Sequence, residues 1–250
     1  MSSKIILLIK IFDKEEYANS FINNGEMFCR TLGAYKRIEG DTERGDLFEG
    51  ATDWHQPDKV SLTISFKDKN GIEKSFPIQN LAGPLIIQAN SFNCLNLYCM
   101  YAVKIPKFEK TYRTKDERIK AVKEINKLLK ACSKISNEAL LLGELAVVIY
   151  KVQEFIDKVK VTAKKSDMAC SSGLVKYYDS DKFHGSFNGL EAVFHKRDNY
   201  QHQKEYRFVF GPHETEADKT IFLGTLNGMA FKLPTKKLNE TLKLRLLNKK

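Results

Sequence analysis

Lys4-Ile-Ile-Leu-Leu-Ile-Lys-Ile-Phe12 is the stretch whose reading decides the fold. A short apolar run behind a lysine reads either as a leader peptide or as a buried β-strand. Lys10 interrupts the run and no small-residue cleavage site follows it, which argues against a leader. The run is also far too short to span a bilayer. It is rich in isoleucine and leucine, and we read it as a buried strand that opens the fold. Asp13 then stands where a helix cap is expected, with Glu16 three residues on completing a capping box. Tyr17, Phe21 and Ile22 supply that helix's apolar stripe. Gly25 ends it, and Glu26 to Arg30 reads as a second strand.

Working outward, Val60, Leu62, Ile64 and Phe66 alternate with polar residues, which predicts a strand with one apolar face. Lys69-Asn70-Gly71 is a hairpin turn signal, and Ile72, Phe76 and Ile78 carry the return strand. Two further strand-like runs, Pro84 to Gln88 and Leu95 to Ile105, complete an expected β-meander. Thr114 and Glu117 form a second capping box. Behind it Ile119, Val122, Ile125, Leu128, Leu129 and Cys132 recur at helical spacing, while Lys115, Lys120, Lys123, Lys127 and Lys130 occupy the opposite face. Leu145 to Tyr150 predicts a strand, and Val152 to about Lys165 a helix on Phe155, Ile156 and Val159. Strands are expected over Gly173 to Tyr178, Tyr206 to Phe210 and Thr220 to Leu223, then a Lys-rich helix over Leu238 to Leu247. No Ser/Gly linker, repeat or low-complexity tract breaks the chain. Residues 1–250 are therefore read as one α+β domain, its sheet mixed or antiparallel and open to a split, with two or three flanking helices.

A chain of 250 residues with 42% hydrophobic and 29% charged residues buries a sizeable core and is not disordered. Its net charge of +10 points to an anionic partner such as a nucleotide or nucleic acid, or else to a solubilising lysine surface. Five cysteines, an odd number without a C-x-x-C pair, argue against a disulfide framework and a zinc ribbon and suit a reducing cytoplasm. The phosphate-binding glycine loops, the G-x-S-x-G elbow, the H-E-x-x-H helix and the EF-hand pattern are all missing, and no metal is expected.

Two constellations carry candidate chemistry. In the loop after residue 40, Asp41, Glu43, Asp46 and Glu49 surround Arg44. Carboxylates so placed suit ribose hydroxyls or the orientation of a nucleophile, and Arg44 offers a planar fork of donors for a phosphate. A solvated turn is the bland alternative. The second is Phe194-His-Lys-Arg-Asp-Asn-Tyr-Gln-His-Gln-Lys-Glu-Tyr-Arg-Phe-Val-Phe210. On a strand, Tyr206, Phe208 and Phe210 share one face, and Glu205, Arg207 and Val209 the other. The aromatic row would anchor the strand and hold a carboxylate and a guanidinium rigidly side by side. Glu205 could then accept a ribose hydroxyl or stabilise an oxocarbenium-like centre, and Arg207 could bind a diphosphate. A purely structural Glu–Arg pair is the alternative. Lys196, Arg197 and Lys204 are interleaved with Phe194, Tyr200 and Tyr206, the pattern of a surface that stacks bases and neutralises phosphates. In Tyr98-Cys99-Met100-Tyr101, aromatics on alternating faces are usually core, with Tyr101 a candidate pocket residue.

The ordered set Asn24-Gly25-Glu26-Met27-Phe28, Arg44-Gly45-Asp46-x-x-Glu49-Gly50, Tyr98-Cys99-Met100-Tyr101, Glu154-Phe155-Ile156, Val175-Lys176-Tyr177-Tyr178 and Lys204-Glu205-Tyr206-Arg207 resembles a broad group of bacterial, prophage and phage proteins over about residues 12–235. Its layout is distantly similar to the ADP-ribosyltransferase-like toxins, in which a split sheet grips a dinucleotide and a late Glu assists transfer. That resemblance implies NAD as cofactor, Glu205 as the catalytic acid, Arg44 or Arg207 on the diphosphate and Tyr101 against the nicotinamide. The toxins' early Arg or His strand motif and their S-T-S pattern are not evident. The expectation is a cytoplasmic, non-membrane enzyme acting on a nucleotide or nucleic acid in phage–host conflict. Glu205 and Glu49 would be catalytic, with Arg44, Asp46, Arg207 and Tyr101 on the cofactor. The alternatives are a non-enzymatic nucleic-acid-binding protein using the basic helices and the 194–207 segment with Lys196, Arg197 and Lys204, or a phage-borne inhibitor of a host protein.

Overall fold

A computed structural model describes residues 3–38, 45–106 and 113–246. In its first half, strand β1 (Ser3–Phe12), helix α1 (Glu15–Asn24), β2 (Glu26–Thr31), α2 (Leu32–Lys36) and β3 (Ala51–His55) precede a hairpin of β4 (Leu62–Lys67) and β5 (Glu73–Ile78). Then come β6 (Leu85–Gln88), the long β7 (Asn96–Pro106), α3 (Lys115–Ser133), α4 (Asn137–Leu140), β8 (Leu145–Ile149) and α5 (Val152–Lys165). The last part holds β9 (Cys170–Leu174), β10 (Lys176–Tyr178), β11 (Gly185–Ser186), β12 (His195–Arg197), β13 (Glu205–Phe210), β14 (Lys219–Phe222), β15 (Ala230–Pro234) and α6 (Leu238–Thr241). The class is α+β: every pairing in the main sheet is antiparallel, and β10 with β12 forms a separate parallel pair.

Strand β7 organises the main sheet. Along one edge it pairs with β13, from Glu205 opposite Tyr101 to Phe210 opposite Asn96. Its other edge is shared. The upper half, from Tyr101 onward, pairs with β1, and the lower end pairs with β2 through Arg30 opposite Leu97 and Thr31 opposite Asn96. Beyond Ile9 strand β1 leaves β7 yet stays paired with β8 from Lys10 to Phe12. The sheet therefore forks. At Tyr98, Cys99 and Met100 no described strand covers that edge of β7. The Lys10 ammonium bridges the gap, donating to the Cys99 carbonyl at 2.9 Å.

Period-two alternation assigns the faces. Tyr98, Met100, Tyr206, Phe208, Phe210, Leu8 and Val147 point to the side covered by α1 and α5, where Phe21 and Phe155 pack edge to face. The opposite face carries two separate apolar clusters. One gathers Leu7, Ile9, Tyr101 and Val148 beneath Ile135, Ala139 and Leu238, and the other gathers Leu97 and Val209 beneath Leu32, Leu95 and Val193. Glu205 and Arg207 belong to this same face.

The structure departs from the expected elements at three places. Helix α1 begins at Glu15 with Lys14 as its N-cap and no side-chain cap, so the Asp13–Glu16 capping box does not form, and Asp13 lies at a cavity wall instead. The Thr114–Glu117 box does form. The expected meander is not one sheet: among the described residues β4 pairs only with β5, β6 pairs with β3, and β7 lies in the main sheet. The closing helix is the single turn Leu238–Thr241. Among the described residues no helix is long and apolar enough to cross a membrane.

Candidate functional site

Four charged side chains meet on the face between the two apolar clusters. Arg207, 1% exposed, comes from β13 and donates to Glu49, to the Glu205 carboxylate at 2.6 Å and to the Val193 carbonyl. Lys196, from β12, reaches Gln203 Oε1 at 2.9 Å, Glu205 Oε1 at 3.3 Å and Glu49 Oε1 at 3.7 Å. Two carboxylates and two cations thus form a buried, charge-balanced quartet. Burial alone would push the Glu205 carboxyl up, but Lys196 and Arg207 overrule it and hold it at about 2. Glu205 is therefore an anion at neutral pH.

Local structure explains how distant segments converge. Glu49 ends a turn in which its own N–H donates to the Asp46 carbonyl at 3.0 Å, and Gly50 follows in the left-handed region at φ 72°, packed against Leu32. Asp46 accepts from the Phe48 N–H and from Arg197 at 2.7 Å, and the Tyr200 hydroxyl donates to the Gly45 carbonyl at 2.7 Å. Neighbouring residues of β12 thereby hold the loop twice, Lys196 from inside and Arg197 from outside. Glu49 and its partner Arg207 are 158 positions apart in the chain, whereas Glu205 and Arg207 are two apart on one strand.

A cavity of about 540 Å³ opens at the fork. Its floor is Leu97 to Tyr101 of β7, one wall is Ile9 to Asp13 of β1, and the other is Glu26, Phe28 and Arg30 of β2. Glu49, Lys196, Gln203, Glu205 and Arg207 line its inner end, and Tyr17 and Tyr35 add aromatic rings. Volume and lining match those of small-molecule sites, which are mostly apolar with a few convergent polar groups.

The structure sorts the expected residues. Glu49, Glu205, Arg207 and Tyr101 share this one cavity. Burial pushes the Tyr101 phenol up to about 12, so it is protonated at neutral pH. Arg207 is committed to two carboxylates and a carbonyl, so a role on a free diphosphate is corrected to one of holding Glu49 and Glu205. Asp46, 1% exposed and paired with Arg197, does not line the cavity and is not placed to meet a cofactor. Lys196 is buried with the carboxylates and cannot present itself to a nucleic acid. Arg197 lies over the Phe48 ring and pairs with Asp46, and the Lys204 ammonium lies 5.7 Å from the Tyr101 ring centre. These three cations do not form the expected common basic surface. Arg44 lies outside the described residues. Burial pushes the Cys99 thiol up to about 12, which leaves it un-ionised and poorly nucleophilic. Among the described residues no group of His, Cys, Asp or Glu is placed to hold a metal ion.

Sequence reading had missed Lys10, Glu26, Phe28 and Tyr35 as cavity residues. For Lys10 the signal was present, since a lysine inside an otherwise apolar strand needs a partner. Comparison with protein-family models, curated proteins and solved structures returns no match for this chain.

Proposed function

We propose that the fork of the sheet binds a nucleotide by its ribose and that Glu205, with Glu49 beside it, assists breakage of the bond at the anomeric carbon. NAD is the leading candidate substrate. The observation that carries this reading is the ionised Glu205 carboxylate, fixed by Arg207 and Lys196 in the wall of an aromatic cavity. Negative charge held rigidly at that point stabilises the positive charge that develops on the ribose as the leaving base departs with the bonding electron pair. Water or an acceptor hydroxyl then adds to the same carbon and gives up a proton. At a folded-state value near 2, Glu205 serves as an electrostatic stabiliser and hydrogen-bond acceptor; it is not a proton donor at neutral pH.

The test is incubation of the purified chain with NAD, following nicotinamide release by chromatography and binding by calorimetry. Glu205→Gln keeps the shape and removes the charge. The expected loss of turnover is about 100-fold or more, the scale of removing one electrostatic contact to a transition state. Absence of both binding and base release across a panel of nucleotides, or an unchanged rate in the Gln variant, overturns the reading.

A second reading, nucleic-acid binding without catalysis, is favoured by one observation: Lys115, Lys120, Lys123, Lys127 and Lys130 all lie exposed along α3. It places the contact on that helix, well apart in sequence from Lys196 and Arg197.

A further inference from the structure

The β4–β5 hairpin carries an apolar face that nothing in the described chain covers. Leu62, Ile64 and Phe66 alternate on β4 with Thr63, Ser65 and Lys67. The register sets Leu62 opposite Ile78, Ile64 opposite Phe76 and Phe66 opposite Lys74, so the apolar side chains of both strands share one face, with Lys74 beside them at the turn end. The Phe66 and Phe76 rings stack at 5.8 Å. Every residue of β5 is exposed, and no residue of β4 is buried. The other face is polar, with Ser65 and Ser75 hydrogen-bonded across the strands.

A two-stranded ribbon is marginal in water by itself and gains stability when its apolar face is packed. A contiguous exposed apolar patch of this kind marks an interaction surface. We propose that the hairpin face is covered by the same face of a second copy of this chain, the two ribbons packing as layers about a two-fold axis.

Three features select that occupant. The apolar surface is continuous across both strands, with Leu62 opposite Ile78, Ile64 opposite Phe76 and Phe66 stacked on Phe76, so the same patch on two copies can meet about a two-fold axis, as an isologous contact requires. The area suffices: Ile64, Phe66, Ile72, Phe76 and Ile78 are 55%, 49%, 58%, 53% and 39% exposed. Together they offer roughly 500 Å² per copy, hence about 1,000 Å² in the pair, which reaches the lower bound for a specific interface. Charge does not oppose the approach. The hairpin carries Lys67, Lys69 and Lys74 against Asp68 and Glu73, a net charge of +1 in a chain of +10. Asp68 and Lys74 pair within the ribbon at 3.4 Å. Pairing by the strand edges is less favoured, since Pro77 removes a donor from β5.

Sedimentation of the full chain from about 1 to about 200 µM brackets an interface of this size. The expected result is a concentration-dependent shift from monomer to dimer. The double variant Phe66→Lys, Phe76→Lys replaces side chains exposed in the monomer, so at about 1 µM, where wild type is monomeric, its melting temperature stays within a degree or two, while its dimer dissociation constant rises about 100-fold or more. A wild-type chain that stays monomeric throughout, including one whose hairpin is protected only by some other protein, overturns the proposal. So does a dimer that persists in the double variant.

Discussion

Arg207 is almost without exposure, and its guanidinium is shared between Glu49 and Glu205. Taking it away leaves two carboxylates with the single ammonium of Lys196. We expect Arg207→Leu to cost about 3–5 kcal/mol, the scale for breaking a buried ion pair from one side, measured by urea unfolding. Charge balance, more than any single contact, sets that cost. Glu205→Gln leaves one cation in excess, and adding Lys196→Gln restores neutrality. The double variant should therefore be less destabilised than the sum of the single ones, by a coupling of about 1 kcal/mol or more in a double-mutant cycle. The same quartet gives a pH signature. Glu205 titrates at about 2 in the fold against an ordinary value of 4.5. Its proton is bound more readily by the unfolded chain, so its contribution to stability is whole above about pH 4.5 and is lost as the pH falls toward 2. Between those limits the unfolding free energy of wild type should fall more steeply than that of Glu205→Gln; parallel curves would remove Glu205 as the source.

At the scale of elements, the joint between α1 and β2 depends on Gly25. It stands in the left-handed region at φ 63°, and a Cβ there would meet the Gly224 carbonyl oxygen and lie 2.6 Å from Leu223 Cβ. Both are fixed groups. Gly25→Ala should destabilise the protein by about 2 kcal/mol or more, read as a lowered melting temperature, because strain in the backbone adds to the clash. That glycine was legible in the sequence as a helix stop, and so were β1, β7, α3, α5 and β13, because local periodicity states which element forms and which side is apolar. The alternation of Glu205 and Arg207, which line the cavity, against Tyr206 and Phe208, which pack in the core under α1 and α5, is legible for the same reason. Pairing was not legible. Alternation in Val60 to Ile105 names faces and not partners, so a meander was expected where three different sheets receive the strands. The fork was likewise hidden, since it depends on where β1 parts from β7 to stay with β8. The interleaving of Lys196, Arg197 and Lys204 with aromatic residues suggests one basic surface. On a strand Lys196 and Arg197 point oppositely, and only the meeting with Glu49 shows which one faces inward.

Across the whole molecule, the excess of positive charge lies away from the cavity. The cavity is lined by four cations, Lys10, Arg30, Lys196 and Arg207, and four carboxylates, Asp13, Glu26, Glu49 and Glu205, so its formal charge is zero. The chain's +10 resides largely on surfaces such as the lysine rows of α3. Two modes of binding therefore separate by their response to salt. A polyanion held on the exposed lysines releases counterions on binding, and its affinity falls with a steep logarithmic slope, close to one unit per phosphate neutralised. A ligand in the balanced cavity is held by shape, stacking and hydrogen bonds, and the charges around it are shielded from bulk ions by burial. Raising sodium chloride from about 50 to about 500 mM should change nucleotide affinity by less than about threefold, while any single-stranded nucleic acid should weaken by a factor of about 100 or more. Titration of both ligands across that series measures the two slopes. A nucleotide whose affinity falls as steeply as the nucleic acid's would be bound on the basic surface, and the fork of the sheet would lose its claim to the ligand.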